Sequence, residues 1–141
     1  MADDTVVELS EMRIMYVRAE NGVKDAAKAF DQLEDALPKK EDGSPNLRGR
    51  RFYGIFHSDR EYWACVVRNA EDDPQMLQLQ EGTISGGKYA MRKMLDWQKR
   101  IPEIADTADD LLAKHPADQS RPQLEFYRSE KELILFQPIL E

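Results

Sequence analysis

The sequence predicts an α+β domain built from two strand-helix-strand-strand units, with antiparallel sheets and both helices on one face. Three observations carry this expectation. Apolar residues recur at helical spacing in two stretches, 23–37 and 101–115. Each stretch is followed by a pair of strand-like runs, 51–56 with 62–67 and 123–127 with 132–138. Each is also preceded by a further segment, 6–17 or 88–95, that completes the unit if it is extended. At 141 residues the chain forms one domain, spanning 1–141, with room for a real core but no second module.

The elements follow in order. Val6, Val7 and Leu9, then Met12, Ile14, Tyr16 and Val17, suggest one long first strand with a bulge near Ser10-Glu11. Asn21-Gly22 breaks it, and the stripe Val23, Ala26, Phe30, Leu33, Leu37 reads as a helix ended by Pro38. Residues 39–46 are a polar loop, and the turn His57-Ser58-Asp59-Arg60 separates the next two strands. Residues 76–80 alternate and predict an additional strand. The octet 88–95 is ambiguous, because its Ala, Met, Lys, Arg and Leu are good helix formers. Ile101, Ile104, Ala108 and Leu111 form the second helical stripe, with Pro102 suited to its first turn and Pro116 stopping it. The last two strands are joined by a turn at 128–131.

Composition excludes several function classes. A net charge of −7 without clustered Lys and Arg argues against binding nucleic acid directly. No apolar run reaches membrane-spanning length. The start, Met1-Ala2-Asp3-Asp4, has no basic region with an apolar segment behind it, so no secretory signal is expected. One cysteine, Cys65, excludes an internal disulfide framework. The simplest location is the cytoplasm.

Familiar catalytic patterns fail on inspection. Gly82-Thr83-Ile84-Ser85-Gly86-Gly87-Lys88 fits the first seven positions of a phosphate-binding loop, but Tyr89 stands where a magnesium-ligating hydroxyl is needed. His57-Ser58-Asp59 are triad residue types in one tight turn, whereas a triad converges from separate segments. Two histidines and one distant cysteine do not make a zinc site, and no loop has calcium-binding spacing. No metal and no cofactor are expected.

Glu125 needs explaining. It sits between Leu124 and Phe126 in an aromatic strand and shares a strand face with Tyr127. Either it points into water from an edge strand, or it is a carboxylate at the floor of an aromatic pocket. Tyr53, Tyr62, Trp63, Tyr89, Trp97, Tyr127 and Phe136 all lie on or near predicted strands. Any one of them is explained by packing. Together with a carboxylate they match the way proteins bind lipophilic cations, with ring faces and a counter-charge.

The strands containing Tyr53-Gly54-Ile55-Phe56 and Ala64-Cys65-Val66, then Ser85-Gly86-Gly87-Lys88-Tyr89-Ala90, Leu124-Glu125-Phe126-Tyr127 and Gln137-Pro138-Ile139, occur in an order that resembles GyrI-like small-molecule-binding domains. Such domains also serve as effector-binding domains of AraC-type and MerR-type transcription activators. The resemblance covers roughly residues 7–139. It implies that 88–95 is a strand and that a ligand groove lies between the two halves. It also implies that Glu125 contacts ligands, often hydrophobic cations, with Tyr127 and Tyr89 nearby. Trp63 and Tyr53 join the groove through their strand positions. Many members carry His-Gly where this chain has Asp96-Trp97, so Trp97 is a departure special to this sequence.

Three functions follow as expectations. The first is a free-standing binding protein that sequesters amphipathic, cationic or planar aromatic compounds, in the manner of a multidrug-binding or toxin-resistance protein. The second is a hydrolase of cyclopropane-bearing alkylating natural products, with Glu125 as general base and Tyr89 as proton donor or orienting group. The third is a protein-binding role directed at DNA gyrase, for which an acidic surface would mimic DNA.

Overall fold

The computed structural model describes residues 4–57 and 59–140. The acidic start at 1–3 and Ser58 of the 57–60 turn lie outside the described residues. Eight strands and three helices follow in the order β1 (Thr5–Leu9), β2 (Met12–Arg18), α1 (Ala26–Ala36), β3 (Phe52–Phe56), β4 (Tyr62–Val67), α2 (Pro74–Leu77), β5 (Gln80–Ile84), β6 (Gly87–Leu95), α3 (Glu103–Lys114), β7 (Gln123–Tyr127) and β8 (Glu132–Pro138). The two predicted units are present as β2-α1-β3-β4 and β6-α3-β7-β8. Residues 88–95 are extended, as the resemblance implies.

The units are fused. All eight strands form one antiparallel sheet in the order β1-β6-β8-β7-β3-β4-β2-β5, joined at its centre by β3 and β7. The flanking strands are exchanged between halves: β1 leads into β2 but pairs with β6, and β5 leads into β6 but pairs with β2. This exchange curls the sheet until its two ends approach each other. A Cβ on Gly86, between β5 and β6, would lie 3.0 Å from both the Leu9 carbonyl and the Glu11 amide. The β1–β2 junction therefore packs against the β5–β6 junction.

Two expectations are corrected here. The long first strand with a bulge at Ser10-Glu11 is two strands, because each half of it pairs with a different partner. Residues 76–80 are not a strand. Asp73 accepts hydrogen bonds from the Gln75 and Met76 amides and Pro74 occupies the first turn, which together start the one-turn helix α2. Gln78 ends it in a left-handed conformation (φ 59°), and β5 begins only at Gln80.

The inner face of the curl is filled by its own side chains, including Tyr53, Ile55, Cys65, Tyr89, Leu124 and Phe136. Both main helices pack on the other face. Helix α1 places Ala29 and Leu33, with Leu37 just past its end, on Met15, Ala64 and Val66. Helix α3 places Leu111, with Ile104 and Ala108, on Ala90, Met94, Leu133 and Leu135. A buried ion network fastens the start of the chain to α3: Arg92 on β6 donates to Asp4 (2.6 and 2.8 Å) and Asp110 (2.7 Å), and His115 meets Asp4 at 2.9 Å. These bonds hold the Asp4 carboxyl down at about 2. The helices pack on the sheet rather than on each other, which leaves a groove between them over the β3–β7 seam. Among the described residues no helix is long and apolar enough to cross a membrane.

Candidate functional site

The groove has a volume of about 890 Å³. Its floor comes from strand alternation. On β7, Gln123, Glu125 and Tyr127 face the helices, while Leu124 and Phe126 face the inner core. The register pairs Glu125 with Gly54 on β3, and Gly54 with Ala64 on β4. Phe52, Phe56 and Tyr62 therefore share the face of Glu125.

Gly54 is what brings the site together. A Cβ there would stand 1.9 Å from the Tyr62 hydroxyl and 2.7 Å from Glu125 Oε1. Without it, Tyr62 reaches across β3 and donates to Glu125 Oε1 at 2.7 Å, and Tyr127 donates to the same oxygen at 2.8 Å. The two hydroxyl oxygens are 3.1 Å apart. Among the described residues no donor reaches Oε2, and no cationic side chain lies within ion-pair distance of Glu125.

Burial pushes the Glu125 carboxyl above its ordinary 4.5, and the two tyrosine hydrogen bonds only partly oppose this. Burial, reinforced by the Glu125 charge, also raises both tyrosines, Tyr62 well above its usual value. They remain protonated donors at neutral pH. The Glu125 carboxyl is thus held in place by two neutral donors, with no cationic side chain beside it.

Aromatic rings wall this floor. Phe30 from α1 meets Tyr127 edge-on at 5.3 Å and Tyr62 at 6.4 Å. Trp97 meets Tyr127 from the opposite end at 5.2 Å and is fixed by a 2.9 Å bond from its indole N–H to the Ser129 carbonyl. Asp96, left-handed at φ 54°, turns the chain so that Trp97 enters the groove. Small residues keep the helix walls back, namely Ala26 and Ala27 on α1 and Ala105 and Ala108 on α3.

Of the residues singled out in the sequence, Glu125, Tyr127 and Trp97 come together in the groove. Tyr53, Trp63 and Tyr89 do not. All three project from the opposite face of the sheet. Tyr53 is buried and stacked on Phe126 (4.7 Å), and Trp63 is stacked on Tyr16 (3.9 Å). Tyr89 is fully buried, donates to the Ser85 carbonyl at 2.7 Å and lies under the Arg121 guanidinium. Its hydroxyl is committed away from Glu125. Tyr62 takes that place. Its signal was a glycine inside an aromatic strand, which marks a close approach by another group. Phe30 carried no such signal, since a helical aromatic reads as core. Among the described residues no three His, Cys, Asp or Glu side chains converge as metal ligands.

No family model matches the chain, and no curated protein matches it. Solved structures do. The C-terminal domain of EcmrR aligns over 100% of this chain and 99% of its own, with a TM-score of 0.67 at 8% identity. An integron cassette protein from the mobile metagenome of Vibrio cholerae aligns over 97% and 95%, with a TM-score of 0.65 at 16% identity. SAV2435, solved bound to tetraphenylphosphonium, aligns over 98% and 94%, with a TM-score of 0.58 at 15% identity. At these identities the similarity is one of fold, and that fold is consistent with the GyrI-like domains the sequence resembles.

Proposed function

We propose that the chain is a GyrI-like binding protein whose groove takes amphipathic cations with aromatic bodies and sequesters them, with Glu125 as the counter-charge. One observation carries this reading: a carboxylate on an aromatic floor, held by two neutral donors and paired with no cation. A half-buried anion with no cationic partner is costly to keep. A hydrophilic cation would lose its hydration on entering, whereas a lipophilic one brings little to lose and gains ring faces as well. The hydrogen bonds to Oε1 orient the carboxylate and leave Oε2 for the ligand. Similarity in fold to a protein solved with tetraphenylphosphonium, itself a lipophilic cation, supports the same reading.

Tetraphenylphosphonium is accordingly the first ligand to try. At a hundredfold excess over its Kd, mass action stabilises the folded protein by about 2.7 kcal/mol, which a thermal melt detects readily. A melting temperature unmoved at millimolar concentration contradicts the proposal.

The open Oε2 also favours a second reading. A carboxylate with a raised pKa and one free oxygen suits a general base: it takes a proton from water as the water oxygen bonds to a cyclopropane carbon, and the ring C–C bond breaks with its electron pair passing to the electron-withdrawing group conjugated to the ring. Tyr62 and Tyr127 would then orient the base, since Tyr89 is out of reach. Incubation with a cyclopropane-bearing alkylating compound separates the readings by mass. A water adduct that forms with the protein and disappears with Glu125→Gln supports hydrolysis, and its absence supports binding alone. A gyrase-directed role has only the acidic balance behind it.

A further inference from the structure

The groove carries negative charge on its walls as well as its floor. Besides Glu125, it is lined by Glu34 on α1, Asp109 on α3 and Glu130 in the β7–β8 turn, against one ammonium, Lys24. Glu34 differs from the other two wall carboxylates. Asp109 and Glu130 are exposed, while Glu34 is half-buried. Among the described residues it has no Lys, Arg or His within ion-pair distance. Burial pushes its carboxyl up, and the neighbouring Asp31 and Asp35 push the same way. Its charge is therefore disfavoured in the groove and would be relieved by a cation.

Helix geometry places this second charge. Glu34 follows Phe30 by four residues and so shares its face, about 6 Å further along the helix axis. Phe30 is the ring that packs against both tyrosines holding Glu125. The two carboxylates are thus separated by an aromatic surface within one cavity. A volume of about 890 Å³ is more than a single fused aromatic cation needs.

We infer that the preferred ligands are elongated dications, with one cationic centre at Glu125 and the second at Glu34, joined by an apolar spacer lying against Phe30. The inference rests on the reading of the groove as a cation site and narrows it to a ligand class. The test uses a decane-bridged bis(quinolinium) and the matched monocation, decylquinolinium, titrated by calorimetry into the full chain. The dication is expected to bind about fivefold or more tightly, beyond the twofold statistical advantage of two equivalent heads. Glu34→Gln brings the ratio of the two Kd values back to about two, while Glu125→Gln weakens both compounds. A ratio near two in the unaltered protein, or a larger one that survives Glu34→Gln, overturns the dication inference. If the monocation still depends on Glu125 in that case, the cation site itself stands. If neither salt binds, both readings fall together.

Discussion

The two faces of the β3–β7 seam use the same strands to opposite ends. On the inner face Tyr53, Ile55, Leu124 and Phe126 fill the curl, with Tyr53 and Phe126 stacked at 4.7 Å. One residue away on each strand, Gly54 lies under the Tyr62 hydroxyl and Glu125 lines a cavity. The inner face is closed because large apolar side chains from opposing parts of one curled sheet meet there. The outer face stays open because alanines line the helices and α1 and α3 each rest on their own half. On the proposed reading, stability and binding fall to alternate residues of the same strands. Substitutions on the two faces should separate accordingly.

The largest effect is expected on the inner face. Ile55 is 1% exposed, and Ile55→Ala should cost about 2–5 kcal/mol of unfolding free energy in a denaturant titration. Its ligand affinity, measured where the protein remains folded, should be nearly unchanged. Gly54→Ala comes next and strikes both properties. The added methyl must displace the Tyr62 hydroxyl, with an overpacking cost of roughly 1–3 kcal/mol. It should also weaken cation binding by disturbing the carboxylate, a pairing that no inner-face substitution should show.

Glu125→Gln should have the opposite sign on stability. The Glu125 pKa is raised on folding, so the folded state favours the protonated acid. That preference contributes fully below the ordinary value of 4.5 and is lost as pH rises through the folded value. Above it the unaltered protein carries the burden of a buried charge. Free of ligand, Glu125→Gln should therefore melt at or above the parent temperature at pH values above the folded Glu125 pKa, and the gap should close as the solution is acidified through it. Trp97→Phe is the mildest change. It keeps a ring against Tyr127 but loses the bond to Ser129, so a binding loss of roughly 1 kcal/mol or less is expected.

The same comparison explains how far the sequence could be read. The alternation Leu124-Glu125-Phe126-Tyr127 put Glu125 and Tyr127 on one face, and the two helical stripes located α1 and α3. Period-two reasoning gives parity within a strand but not between strands. Tyr53 and Trp63 read as groove residues because aromatic residues on a strand can serve either face of a sheet buried on both, and Tyr89 does so only through the resemblance. Only the register shows that Gly54 is the residue opposite Glu125, which sends Tyr53 inward and brings Tyr62 to the site. Asp73-Pro74 was a helix-start signal outweighed by the apparent alternation of residues 76–80. The exchange of β1 and β5 between halves leaves no local trace, because it depends on pairings between residues 64 to 86 positions apart.

The central claim is that Glu125 acts in the groove by its charge. Calorimetric titration of N-methylquinolinium and of its neutral isostere 1-methylnaphthalene, into the parent protein and into Glu125→Gln, tests this directly. The cation should lose about tenfold or more in affinity on substitution, while the neutral compound changes by less than about twofold. In the parent protein, cation affinity should also rise with pH through the Glu125 pKa, because the bound charge draws that pKa back down. Equal losses for both compounds, or cation binding indifferent to the substitution, would contradict the claim.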